Sequence, residues 1–239
     1  MNYIIMKLTE FFGIISNSMI AITGSHNKGF AYLLAIIIFT AIFKIILLPL
    51  TIKQTRSTAK MSKIQPKMKE IQNRYKNDPQ KANEKVMELY KTEGVSPFSG
   101  CLPLIIQFPV FIAMYQVLYR FQGFQEVKFF TIKALPFFKE LIMHGKQMVT
   151  LDNPILIALV ALIPIISGIT TYFQGIMMAP KGDDAAANTQ KQMNTFMTLF
   201  TVYLGLTFQI SLVIYWIVQN GLQMLQQYFI MKHMNKEEA

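Results

Sequence analysis

Lys44 is the one charged residue in the apolar stretch Phe30–Thr51, FAYLLAIIIFTAIFKIILLPLT. At ~1.5 Å per residue that stretch reaches about 33 Å, the thickness of a bilayer's hydrocarbon core. An ionisable side chain at such depth costs about 2.5–3.5 kcal/mol on insertion scales, so its default reading is functional. Thr40 lies four residues earlier and shares a helical face with it. Further polar side chains inside apolar runs are Gln107, Gln174, Gln209 and Gln219. Each alone reads as interhelical hydrogen-bond glue; with Lys44 they can wet a groove. No Asp or Glu stands in these runs to neutralise the lysine. The cation therefore calls for water, backbone carbonyls or a transient anionic partner. Phosphate-binding glycine loops, serine elbows, His-Glu metal motifs and paired intramembrane carboxylates are all missing from the sequence, so it is read as a non-enzyme without cofactor or metal.

The composition supports a membrane setting. Hydrophobic residues make up 52% of the 239 and charged residues only 15%. That balance is too apolar for a soluble domain of this size. A net charge of +10 would suit nucleic acid if it were spread over a surface, but it is not spread. Eleven of the 23 Lys and Arg fall between Lys53 and Lys91, directly after the first apolar stretch. This clustering places that segment in the cytoplasm. Cys101 is alone, which excludes an internal disulfide and a thiolate metal site. His26, His144 and His233 lie far apart beside loops or a terminus and read as solvated.

The resulting expectation is an all-α polytopic protein with five transmembrane helices. Residues 1–29 form an external segment whose amphipathic part reads as an interfacial helix; Glu10 and a weakly basic start argue against a signal peptide. The first span is residues 30–52. Residues 53–95 form a cytoplasmic antiparallel helical hairpin, with Met61, Ile64, Met68, Ile71 and Tyr75 on one stripe. Asn77-Asp78-Pro79 ends its first helix, and Asp78 is placed to cap the second. The second span is 96–120, followed by an external loop at 121–152 with an amphipathic piece around Leu135–Met143. The third span is 153–178, and 179–192 is a cytoplasmic loop. Met193–Ile230 carries no formal charge and would reach about 57 Å as one helix, nearly twice the core. It must fold back, and Gly205–Gln209 is the best turn. The fourth span is then 193–206, at ~21 Å shorter than a normal core. The fifth is 210–230, and 231–239 is a cytoplasmic tail. This order puts the N-terminus outside.

Five segments are similar to a known family. Thr40–Thr51 (TAIFKIILLPLT), Lys60–Lys69 with Gln65-Pro66-Lys67, Leu89-Tyr90-Lys91, Ser96–Phe111 (SPFSGCLPLIIQFPVF) and Ile214–Gln227 (IYWIVQNGLQMLQQ) resemble the YidC/Oxa membrane insertases. The resemblance runs from about Phe30 to Ile230. It implies an energy-independent insertase and chaperone of the bacterial plasma membrane, working alone or beside the Sec translocon. It further implies a hydrophilic groove open to cytoplasm and lipid and sealed outside, with its basic residue at Lys44. Groove positions then fall on Thr40, Gln107, Gln174, Tyr215 and Trp216. The implied partners are nascent membrane proteins, lipids and, transiently, the ribosome, without nucleic-acid specificity. Three departures stand out. Lysine replaces the family's usual arginine, no lipoprotein cysteine follows the N-terminal helix, and the tail is short. Ribosome docking would then rest on the hairpin cations Lys60, Lys63, Lys67, Lys69 and Arg74. The rival reading is a small-solute carrier or channel with Lys44 as an anion site, which an internal repeat would favour; none is evident.

Overall fold

A computed structural model describes residues 2–95, 102–134, 154–178 and 185–237. The expected all-α class is what these residues form. They make eight α-helices, a few 3-10 turns, and one isolated antiparallel bridge between Lys133 and Gln209. The helices are α1 (Asn2–Thr23), α2 (Lys28–Ile46), α3 (Leu48–Arg74) and α4 (Pro79–Thr92), then α5 (Leu102–Arg120), α6 (Pro154–Met178), α7 (Ala185–Thr207) and α8 (Ile210–Glu237). By length and composition, α1, α2 and α6 are each apolar enough to cross a membrane.

Local sequence explains most boundaries. The apolar run that begins at Phe30 does not continue as one helix to residue 52. It breaks at Leu47, whose N–H still reaches the Phe43 carbonyl, and α3 restarts with Pro49 in its first turn. Proline lacks an N–H and its ring clashes with the preceding turn, so a break just before it is the expected geometry. Asp78 caps α4 through the Lys81 N–H at 3.1 Å, with Pro79 at the first helical position. α3 and α4 then pack through Ile64, Met68, Val86 and Val95, and Lys67 pairs with Glu93 at 2.5 Å. Gly94 takes φ 62°, a left-handed turn that lets Val95 fold back onto this cluster. Residues 185–192, expected as loop, are the first turns of α7. Three alanines and two glutamines favour helix there strongly enough to extend the apolar segment that follows. The fold-back expected at Gly205–Gln209 occurs at Phe208-Gln209, between α7 and α8. The amphipathic piece at Leu135–Met143 lies outside the described residues.

The bundle is asymmetric along its axis. At the end where α2 starts and α5 finishes, aromatic side chains fill the interior. Phe12 from α1 meets Phe39 edge-on at 5.3 Å and Phe121 at 4.9 Å. Tyr32, Phe124 and Phe130 continue the cluster. The Ile210 N–H donates to the Ile132 carbonyl at 2.8 Å, tying the α7–α8 break to the segment after α5. That segment's Ile132 and Phe129 pack against the buried Val160, Ile163 and Ile210. Lys44 lies beyond this plug, in the last turn of α2, just past Phe39 and Phe43.

Candidate functional site

α8 is the element that assembles the polar interior. Gln219, Asn220, Gln223, Gln226 and Gln227 recur along it at helical spacing, and together they reach three neighbouring helices. Gln219 donates to Gln107 of α5 at 2.9 Å. Asn220 donates to the Thr171 hydroxyl of α6 at 2.9 Å and to that of Thr170 at 3.3 Å. Gln227 donates to the Met177 carbonyl at 3.1 Å. Gln226 donates to the Lys44 carbonyl at 3.4 Å. The Lys44 ammonium donates to the Gln223 side-chain oxygen. Five amides over about two and a half turns of α8 thus cross-link α2, α5 and α6.

Lys44 is only 8% exposed, and Gln223 is its hydrogen-bond partner. None of α2, α5, α6 or α7 contains Asp or Glu, and α8 has none before Glu237. Among the described residues the buried cation therefore meets a neutral amide. An amide oxygen orients and partly solvates an ammonium but leaves its charge uncompensated. Thr40, one turn away and buried, spends its hydroxyl proton on the Ile36 carbonyl at 2.6 Å. Its oxygen lone pairs remain to accept. Trp216 packs on Phe111 of α5 with ring centroids 5.3 Å apart, and Tyr215 is buried beside them in the main apolar core.

The profile of the 60Kd inner membrane protein family matches residues 23–237. The chain belongs to that family. A protein of Clostridium tetani named membrane protein insertase YidC is 36% identical over 239 residues, covering all of this chain and 98% of that protein. A Clostridium perfringens protein of the same name is 33% identical over 247 residues, covering all of this chain and 96% of the relative. A Geobacter sulfurreducens protein of that name is 37% identical, over 90% of this chain but only 36% of its own length.

Within this 60Kd family member the residues singled out from sequence fall into three groups. Lys44 and Thr40 lie on α2, Gln107 on α5, and Tyr215 and Trp216 on the N-terminal half of α8, which reaches Lys44 through Gln223 and Gln107 through Gln219. Gln174 lies one turn beyond Thr170 and Thr171 on the helix that faces Asn220. It is half-buried on α6, and the α6 groups that reach α8 are Thr170, Thr171 and the Met177 carbonyl. Lys60, Lys63, Lys67, Lys69 and Arg74 are all exposed on α3, away from the polar interior. Sequence reading passed over Gln223, Asn220, Gln226 and Gln227, the residues that hold the centre together. Their signal was present as amides at i, i+3, i+6 and i+7 in a run otherwise fit for lipid.

Proposed function

We propose that this chain is a membrane protein insertase, which receives hydrophobic segments of nascent proteins at Lys44 and releases them sideways into the bilayer. The observation that carries this reading is the Lys44–Gln223 pair, a cation deep in an apolar bundle whose partner is neutral. An acidic residue flanking an incoming segment would supply the missing countercharge, exchanging with the amide at little loss of hydrogen bonding. The amide stripe of α8 lowers the desolvation cost of that polar flank as it enters. The aromatic plug at the opposite end keeps the path closed there. Once the flank is seated, burial of the segment's apolar surface in lipid, worth roughly 25 cal/mol per Å², drives its exit without nucleotide.

In this reading α2, α5, α6, α7 and α8 are the five spans and α1 is an interfacial helix on the outer face. The N-terminus then lies outside and the C-terminus in the cytoplasm. The pair α3–α4 is a cytoplasmic hairpin that presents Lys60, Lys63, Lys67, Lys69 and Arg74 to the ribosome, with the Sec translocon as a second partner. The uncharged part of α7 is shorter than a bilayer core and thins the membrane beside it, shortening the crossing.

The test is insertion of a short single-span substrate with an acidic flank into vesicles containing purified protein. Lys44→Arg retains insertion, Lys44→Ala loses at least about ten-fold, and Lys44→Glu abolishes it for the acidic flank. Equal insertion by all three variants would remove Lys44 from the mechanism. A photocrosslinker at Trp216 that captures the nascent segment separates this reading from a solute carrier, which gives no such product.

A further inference from the structure

A second recess opens where α2 runs into α3 and both lie against the inner half of α8. It is a crevice of about 470 Å³, lined almost wholly by hydrocarbon. The stripe Lys44, Leu48, Ile52 and Arg56 forms one wall, and Leu225, Phe229 and His233 lie on the other. It adjoins the amide site at Lys44 and Gln226 but runs away from it along α3. Leu225 and Phe229 lie on roughly the opposite side of α8 from Asn220 and Gln227, which face α6. Both are more than half exposed, so the crevice opens outward from the bundle.

We propose that this crevice holds one anionic phospholipid of the inner leaflet, with an acyl chain along Leu48, Ile52, Leu225 and Phe229 and its phosphate on Arg56 and His233. The proposal rests on the membrane placement given above and not on insertase activity. Three observations select the occupant. The first is length. From Lys44 to Arg56 the wall reaches at most ~18 Å, about half of the hydrocarbon core and so one leaflet. The second is charge. From Leu48 to Lys69 there are six Lys and Arg and no Asp or Glu, and Ile210–Lys236 likewise has no acid. Basic pockets between helices at the cytoplasmic side suit anionic headgroups, and a guanidinium matches phosphate in geometry. The third is the order of polarity. Leu48, Ile52, Leu225 and Phe229 make an apolar wall and Arg56 and His233 a cationic end, the same order as the acyl chain and phosphate of one lipid.

The test uses the full chain with Trp216→Phe and Phe229→Trp in nanodiscs of phosphatidylcholine. Quenching of the introduced tryptophan is compared for brominated phosphatidylglycerol and brominated phosphatidylcholine at equal mole fraction. The expected result is stronger association with the anionic lipid. Arg56→Gln lowers that preference by about five-fold, and adding His233→Gln lowers it further. Native mass spectrometry of the unaltered chain, purified from a mixture of both lipids, then shows one retained phosphatidylglycerol. Equal quenching by the two lipids, or no retained anionic lipid on the unaltered chain, overturns the proposal. So does a photocrosslinker at Leu225 that captures a nascent segment in place of lipid. Insertion is not read in the quenching and mass measurements, so their failure leaves the insertase reading standing.

Discussion

At the scale of single residues, the decisive contact joins Lys44 to Gln223, positions 179 apart in sequence. A lysine placed near a carboxylate would form a settled pair with nothing left to attract. A lysine facing only hydrocarbon would not be tolerated as a cation. The amide lies between these limits, and two substitutions at position 223 separate its roles. Gln223→Leu removes the acceptor and leaves the ammonium unpaired, destabilising the fold by about 1–3 kcal/mol. Gln223→Glu supplies an internal countercharge. It is expected to keep or raise the thermal midpoint while cutting insertion of acidic-flanked substrates at least about ten-fold, because the substrate's carboxylate must now displace a carboxylate. Insertion assays in vesicles and thermal unfolding in detergent read the two effects separately. A Gln223→Glu protein that inserts as well as the parent would show that Lys44 does not meet the substrate's charge.

At the scale of elements, α6 and α7 approach closely because glycine allows it. A Cβ on Gly175 would collide with the Asn194 amide, which donates to the Tyr172 carbonyl at 3.2 Å. A Cβ on Gly168 would meet Val202 and Thr198. The two glycines are seven residues apart and so share the face that α7 covers. Gly175→Ala is expected to break the Asn194 bond and push the helices apart, costing about 1–3 kcal/mol. Gly221 is the internal control. It lies mid-α8 with nothing near its missing Cβ, so Gly221→Ala gains up to ~1 kcal/mol of helix propensity. Thermal unfolding of both variants checks the contrast; a Gly175→Ala protein as stable as the parent would mean the α6–α7 contact is slack. On α4, Asp78→Ala removes the cap on the Lys81 N–H and costs about 1 kcal/mol. Faster amide exchange confined to the first turn of α4 is the expected signature.

At the scale of the whole molecule, the proposed direction of insertion into the membrane rests on the charge pattern. In the proposed topology the eleven cations between Lys53 and Lys91 oppose translocation, keeping α3 and α4 with the cytoplasm and turning the aromatic plug outward. In a Cys101→Ser background, Ser25→Cys is expected to react with an impermeant thiol reagent in intact cells, and Asn77→Cys only after permeabilisation. Labelling of Asn77→Cys in intact cells would invert the proposed topology and move the Lys44 site's opening to the wrong side.

The sequence by itself determined the helical class, the apolar runs now seen as α2 and α6, the Asp78 cap, the fold-back before Ile210 and the isolation of Lys44. These are properties summed along the chain or fixed within one turn, and hydropathy, capping and proline geometry record them locally. The break at Leu47 was also written there, in Pro49, but the apolar count overrode it. Only the tertiary structure decided that Gln223 holds Lys44, that Phe12 helps close one end, and that α3 and α8 leave a crevice between them. Such pairings depend on how each helix is rotated and which neighbour it meets. In a nearly uniform apolar helix the side-chain period fixes neither.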